Sequence, residues 1–164
     1  MEKKNVFVVG MNDFNRSLLE RIPHAENYNY FGLLDPAEVL ETYTFPIPEM
    51  VKRSIEQLES FKKETGEDVH AVCGYMDFPV STMLPLICKE IGTRSPSLEG
   101  LLKCEHKYWS RVEQQKLIPD HIPEFRAFDP FDDDALSKID IPYPFWIKPI
   151  KSSGSFLGFY ISSK

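Results

Sequence analysis

Cysteine is sparse and shows no pairing pattern. Cys73, Cys88 and Cys104 are far apart and odd in number, with no C-x-x-C and no Cys/His cluster. A disulfide framework and a structural zinc are therefore not expected; each thiol is expected in or near the core of a reduced, cytoplasmic protein. Positive charge is also in deficit: 19 Lys and Arg against 25 Asp and Glu leave a net charge of −6. A general nucleic-acid binder carries the opposite balance, so no nucleic-acid partner is expected, although a local phosphate site is compatible with this charge. Long apolar runs are missing. The opening MEKKNVFVVG meets Asn12 and Asp13 at once, too soon for a signal peptide or a membrane span, so no membrane partner is expected. There is no internal repeat and no low-complexity segment. The four histidines, His24, His70, His106 and His121, show no ligand spacing and read as surface or half-buried groups.

What is present suits a packed core: 42% of the 164 residues are hydrophobic and 13% aromatic, enough for one domain, or one small domain and part of another. Residues 5–9 (NVFVV) read as a buried parallel strand ending at Gly10. A helix capped by Asn12 or Asp13 follows, with Phe14, Leu18 and Ile22 on its inward face and Pro23 at its end. A second strand covers 30–34 and closes at Asp35-Pro36; 42–48 is a loop; 49–65 is a long helix with Val51, Ile55, Leu58 and Phe61 inward and Gly66 at its C-cap. A third strand at 69–73, the loop GYMDFP, a helix over 80–91 stopped by Gly92, and a short fourth strand at Thr93-Arg94 complete the first half. Strands alternating with amphipathic helices predict an α/β fold, a Rossmann-like parallel sheet wrapped by helices. Ligands of such sheets gather at the carboxyl ends of the strands. Gly10, Asn12, Asp13 and the 74–79 loop with Asp77 stand there as candidate substrate-side residues, although Asp77 is equally placed to cap the helix after Pro79.

From about residue 95 the pattern changes. Short helices are expected at 96–104 and 106–115, then the turn LIPDHIP, a strand at 124–128 and an acidic-fronted helix at 129–138. Two strands, 145–150 and 156–161, flank 151–155 at hairpin spacing. Trp109 and Trp146 are expected in the core. The domains implied are 1–95 and 96–164, the second reading as the beginning of another domain.

Lys148 sits inside the first of those two strands, on the face of Trp146. A lysine embedded there must reach solvent or an anion. The adjoining KSSGSF turn can point several amides into one concavity and adds serine hydroxyls, while Gly154 permits positive φ. The pair reads as a polyphosphate cradle or, equally, as a surface lysine beside an ordinary turn.

A wider order bears on that choice: GTRSPSLEGLLKCEHKYWSR, then LIPDHIPEFRAF, then IPYPFWIKPIKSSGSFLGFYI. This order resembles the ATP-grasp superfamily, and the first half, with GYMDFPVSTMLPLICKEIG, resembles the domain that precedes the ATP-grasp core. The resemblance implies ATP as cofactor, with Lys107 and Lys148 as the two nucleotide-binding lysines. It also implies Lys151, Ser152, Ser153, Gly154, Ser155 and Gly158 as a loop folding over the phosphates. It departs in lacking the glycine before the P-x-P turn, in having Glu105-His106 before Lys107, and in having one internal loop glycine. The second half is then a partial α+β ATP-grasp subdomain. The family's Mg²⁺ ligands lie later than Lys164, so no metal ligand and no catalytic residue is assigned here. The implied protein is an N-terminal fragment, inactive alone, of a carboxylate–amine ligase or biotin carboxylase-like enzyme. Such an enzyme activates a small-molecule carboxylate as an acyl phosphate for an amine, thiol or similar nucleophile.

The acidic group Asp129, Asp132, Asp133 and Asp134 is better read as a helix start than as a metal site. Two other functions stay open: a non-catalytic interaction or regulatory module, and a nicotinamide-binding oxidoreductase with Asp35 near the ribose. The second lacks a G-x-G-x-x-G after strand one. An uncovered sheet edge in the second half would allow a homodimer.

Overall fold

The computed structural model describes residues 2–42 and 44–163; Tyr43, in the expected 42–48 loop, and the terminal Lys164 lie outside the described residues, as does Met1. The chain divides into two compact units, Met1–Leu98 and Glu99–Lys164. Among the described residues no helix is long and apolar enough to cross a membrane.

The first unit is the expected Rossmann-like parallel sheet wrapped by helices. Strand β1 (Lys4–Val9) is central, flanked by β2 (Tyr28–Leu33) and β3 (Ala71–Gly74) in the order β2-β1-β3. Both pairings are parallel, with Phe7 opposite Phe31 and Val72, and Val9 opposite Leu33 and Gly74. Helices α1 (Asp13–Leu19), α2 (Pro36–Leu40), α3 (Ile47–Thr65) and α4 (Val80–Ile91) connect and cover the strands. Alternate residues of the strands point one way. Phe7, Val9, Leu33 and Val72 therefore share a core with Met50 and Leu58 of α3 and Val80, Met83 and Ile87 of α4. Phe7, Phe31 and Phe61 form an aromatic cluster with ring centroids 5.0 Å apart. Asn5 is buried at the start of β1 but satisfied. Its amide donates to Glu67 Oε2 at 2.7 Å and to the Asp68 carbonyl at 3.1 Å, and its oxygen accepts from Asn29 at 3.0 Å.

Several expectations are corrected. Phe14, Leu18 and Ile22 are exposed at 68, 45 and 43%. Helix α1 is short and ends before Ile22, and its contact with the sheet is polar: Arg16 Nη1 donates to the Tyr30 carbonyl at 3.0 Å. In α3 the most buried line is Met50, Ser54 and Leu58, with Val51 and Phe61 beside it. Thr93-Arg94 forms no strand, because Gly92, at φ +79, turns the chain and the Thr93 N–H caps α4 by donating to the Cys88 carbonyl at 2.9 Å. Cys88 is buried, whereas Cys73 and Cys104 are exposed.

The second unit is α+β. Helices α5 (Leu98–Glu105), α6 (Lys107–Leu117) and α7 (Ala135–Lys138) accompany an antiparallel pair, β4 (Phe145–Ile147) and β5 (Phe159–Ile161). No strand forms at 124–128; Phe125 instead packs its ring edge-on against Tyr108 of α6. The helix expected over 129–138 shrinks to α7. Asp129 and Asp132 bond the backbone N–H groups of Phe131 and Asp134 at 3.0 Å, a local alternative to the helix ladder. Trp109 and Trp146 are exposed, 49 and 59%, and the Trp146 ring meets Tyr160 across the hairpin with centroids 5.4 Å apart.

Candidate functional site

The hairpin of the second unit differs from the expected one around Lys148 and the serine-glycine bend. Strand β4 stops at Ile147 and β5 starts at Phe159, so Lys148 lies just past a strand, not inside it. Pro149 has no N–H to continue the ladder. The connection is correspondingly longer than the expected 151–155 turn.

Two turns shape that loop. Phe156 N–H donates to the Ser153 carbonyl at 3.0 Å, around Gly154 and Ser155, which both have positive φ, +58 and +60. That is the pattern of a type I′ turn. Gly158 N–H then donates to the Ser155 carbonyl at 2.9 Å, with Leu157 at φ +51 in between. Gly154 has open space around it, whereas a Cβ on Gly158 would lie 3.1 Å from the Ser155 carbonyl oxygen.

Lys107 converges on this loop. It is the first residue of α6, after the N-cap His106, whose Nδ1 accepts from the Trp109 N–H and whose ring stacks on Trp109. The Lys107 ammonium donates to the Ser152 carbonyl at 2.6 Å and lies 3.4 Å from Ser152 Oγ. Its N–H donates to the Ile150 carbonyl at 3.2 Å. Lys151 lies 3.5 Å from Glu105, and Lys148 is exposed, with its ammonium 5.5 Å from the centre of the Trp146 ring. The structure thus brings Lys107, Lys151 and Ser152 together. It sets Lys148 on the Trp146 face and leaves Ser153, Gly154 and Ser155 exposed along the rim. Sequence alone singles out neither Glu105 nor, beyond its expected place in the core and its shared face with Lys148, Trp146; Glu105 stands two residues from Lys107, but its partner Lys151 is distant in the chain.

The chemistry available is anion binding. Ammonium groups, serine hydroxyls and bend amides are donors for a polyphosphate. Magnesium is a different matter: among the described residues no group of three or more His, Cys, Asp or Glu side chains is arranged to hold a metal ion. Asp129 and Asp132 are engaged in turns, and Asp132 also pairs with Lys138. These residues do not fit a metal centre.

In the first unit, the order β2-β1-β3 places the point where connections reverse between the carboxyl ends of β1 and β3. Gly10 sits there at φ +66, its N–H donating to Leu33 at 2.9 Å and its carbonyl accepting from the Tyr75 hydroxyl at 2.7 Å. Partial desolvation raises the Tyr75 phenol above its usual pKa. Asn12 spends its side-chain oxygen on capping α1 through Asn15 N–H at 2.9 Å, and Asp13 is the first residue of that helix. Asp77 accepts from Ser81 Oγ at 3.3 Å and, through its carbonyl, from Ser81 N–H at 3.2 Å, ahead of α4. Asp35 closes a capping box with Glu38 at the start of α2, a structural use for the carboxylate that a nicotinamide reading would need.

The architecture is α/β, with a parallel sheet in the first unit and an antiparallel pair in the second. A solved structure of an L-amino acid ligase from Bacillus licheniformis is similar over 100% of this chain, with a TM-score of 0.54 at 11% sequence identity. The likeness is one of fold, and the chain spans 40% of that ligase chain. No family profile matches the sequence, and no curated protein matches it.

Proposed function

We propose that this chain supplies the phosphate-binding part of an ATP-dependent ligase, one that activates a small-molecule carboxylate as an acyl phosphate for attack by an amine or similar nucleophile. The observation that carries this reading is the Lys107 ammonium seated on the serine-glycine bend, 2.6 Å from the Ser152 carbonyl. Lys107, Lys148 and Lys151 would neutralise the triphosphate, and the hydroxyls of Ser152, Ser153 and Ser155, with loop amides other than those of Phe156 and Gly158 that close the two turns, would donate to its oxygens. ATP supplies the phosphoryl group. These residues would bind and orient it, while the transfer step would depend on metal ions that neutralise the transferred group. The likeness of fold to an amino acid ligase supports the same class. A cytoplasmic setting, where ATP is available, accords with it.

The test is amide chemical-shift mapping with ATP and with inorganic tripolyphosphate. Shifts centred on Lys107, Lys148 and 151–158 are expected. Lys107→Met should weaken binding by about tenfold or more, the scale of one charge-assisted hydrogen bond. Saturating millimolar ATP without shifts there would overturn the reading.

A further inference from the structure

The joint between α5 and α6 grips three consecutive loop residues. Glu105, the last residue of α5, has 11% of its side chain exposed and lies 3.5 Å from Lys151 Nζ. Lys107, two residues on, holds the Ile150 carbonyl through its N–H at 3.2 Å and the Ser152 carbonyl through its ammonium at 2.6 Å. Residues 153–158, by contrast, close two turns on themselves.

A carbonyl oxygen that close to an ammonium occupies the position an anionic oxygen would take. A phosphate reaching Lys107 in that direction must displace the loop's own backbone. We propose, resting on the polyphosphate reading above, that Glu105 and Lys107 form a clasp. Glu105 is a positioning residue that, through Lys151, keeps the Ser152 carbonyl on Lys107, and phosphate binds by taking that carbonyl's place. The closed clasp lowers the fraction of competent molecules and so weakens apparent affinity. Loosening it tightens phosphate binding, the reverse of what loss of a fold-supporting residue does.

The experiment pairs loop dynamics with binding in the full chain. Amide 15N relaxation of 151–158 is measured without ligand for the wild type, Glu105→Asp, Glu105→Gln, Lys151→Met and the Glu105→Gln/Lys151→Met double variant. Tripolyphosphate affinity is measured for the wild type and Glu105→Asp, which keeps the charge and loses the reach. The clasp predicts a more mobile loop in every single variant and no further gain in the double variant. It also predicts about two- to fivefold tighter tripolyphosphate binding by Glu105→Asp. An unchanged loop in both Glu105 variants, additive effects in the double variant, or unchanged or weaker binding by Glu105→Asp overturns it. If tripolyphosphate binds neither protein, the polyphosphate reading falls and the displacement with it. A null dynamics result in a chain that still binds tripolyphosphate removes the clasp alone.

Discussion

The Tyr75 hydroxyl donates to the Gly10 carbonyl oxygen at 2.7 Å and so joins the carboxyl ends of β3 and β1 where the connections of the sheet reverse. Tyr75→Phe keeps the ring and removes the donor. We expect it to lower stability by about 1 kcal/mol, the net worth of one such bond, read as a shift in the urea midpoint at unchanged m-value.

Gly10 has a second constraint. At φ +66 a side chain is strained, and a Cβ there would lie 2.3 Å from Cγ2 of the buried Val39. Gly10→Ala should cost about 3 kcal/mol, left-handed strain plus overpacking. Gly66→Ala has a similar φ, +73, but nothing within 4 Å, and should cost about 1 kcal/mol. Urea unfolding of the two variants separates backbone strain from collision.

Acid should weaken the first unit through Glu38. Its carboxylate is held below the usual range chiefly by hydrogen bonds from Arg53, which reaches both oxygens at 2.5 and 2.8 Å. A lowered folded-state pKa means stability that is present above the unfolded value, about 4.3, and is lost as pH falls through the folded one. Arg53→Met should therefore be less stable than the wild type at pH 7, with the gap closing below pH 4. Both side chains are partly exposed, which keeps the gap small. Parallel urea titrations across that range measure it.

Lys148 stands 5.5 Å from the centre of the Trp146 ring. If phosphate draws the ammonium away, the emission of Trp146 should change on ATP addition in a Trp109→Phe background. Lys148→Met should abolish that change. A fluorescence response that survives Lys148→Met would detach this lysine from the nucleotide.

Much of the first unit was legible because its signals are local. A continuous apolar run such as NVFVV can be stable only between two covered faces, and glycine at positions 66 and 92 supplies the left-handed residue that ends a helix. The reading failed where local pattern and tertiary packing part. Phe14, Leu18 and Ile22 repeat at helical spacing, yet α1 ends too early and meets the sheet through Arg16. The aspartates at 129 and 132 suit a helix start but bond their own backbone instead.

The candidate site divides the same way. Its chemical types, lysines and a serine-glycine bend, could be read from the chain because charge and backbone freedom belong to individual residues. Lys148 shares a face with Trp146 because the two stand two positions apart on an extended segment, but that Lys107 lands on Ser152 and that Glu105 answers Lys151 are contacts between segments. Only the packing of the α5–α6 joint against the β4–β5 connection decides those two contacts, because which side chains meet across a fold depends on where distant backbones come to rest.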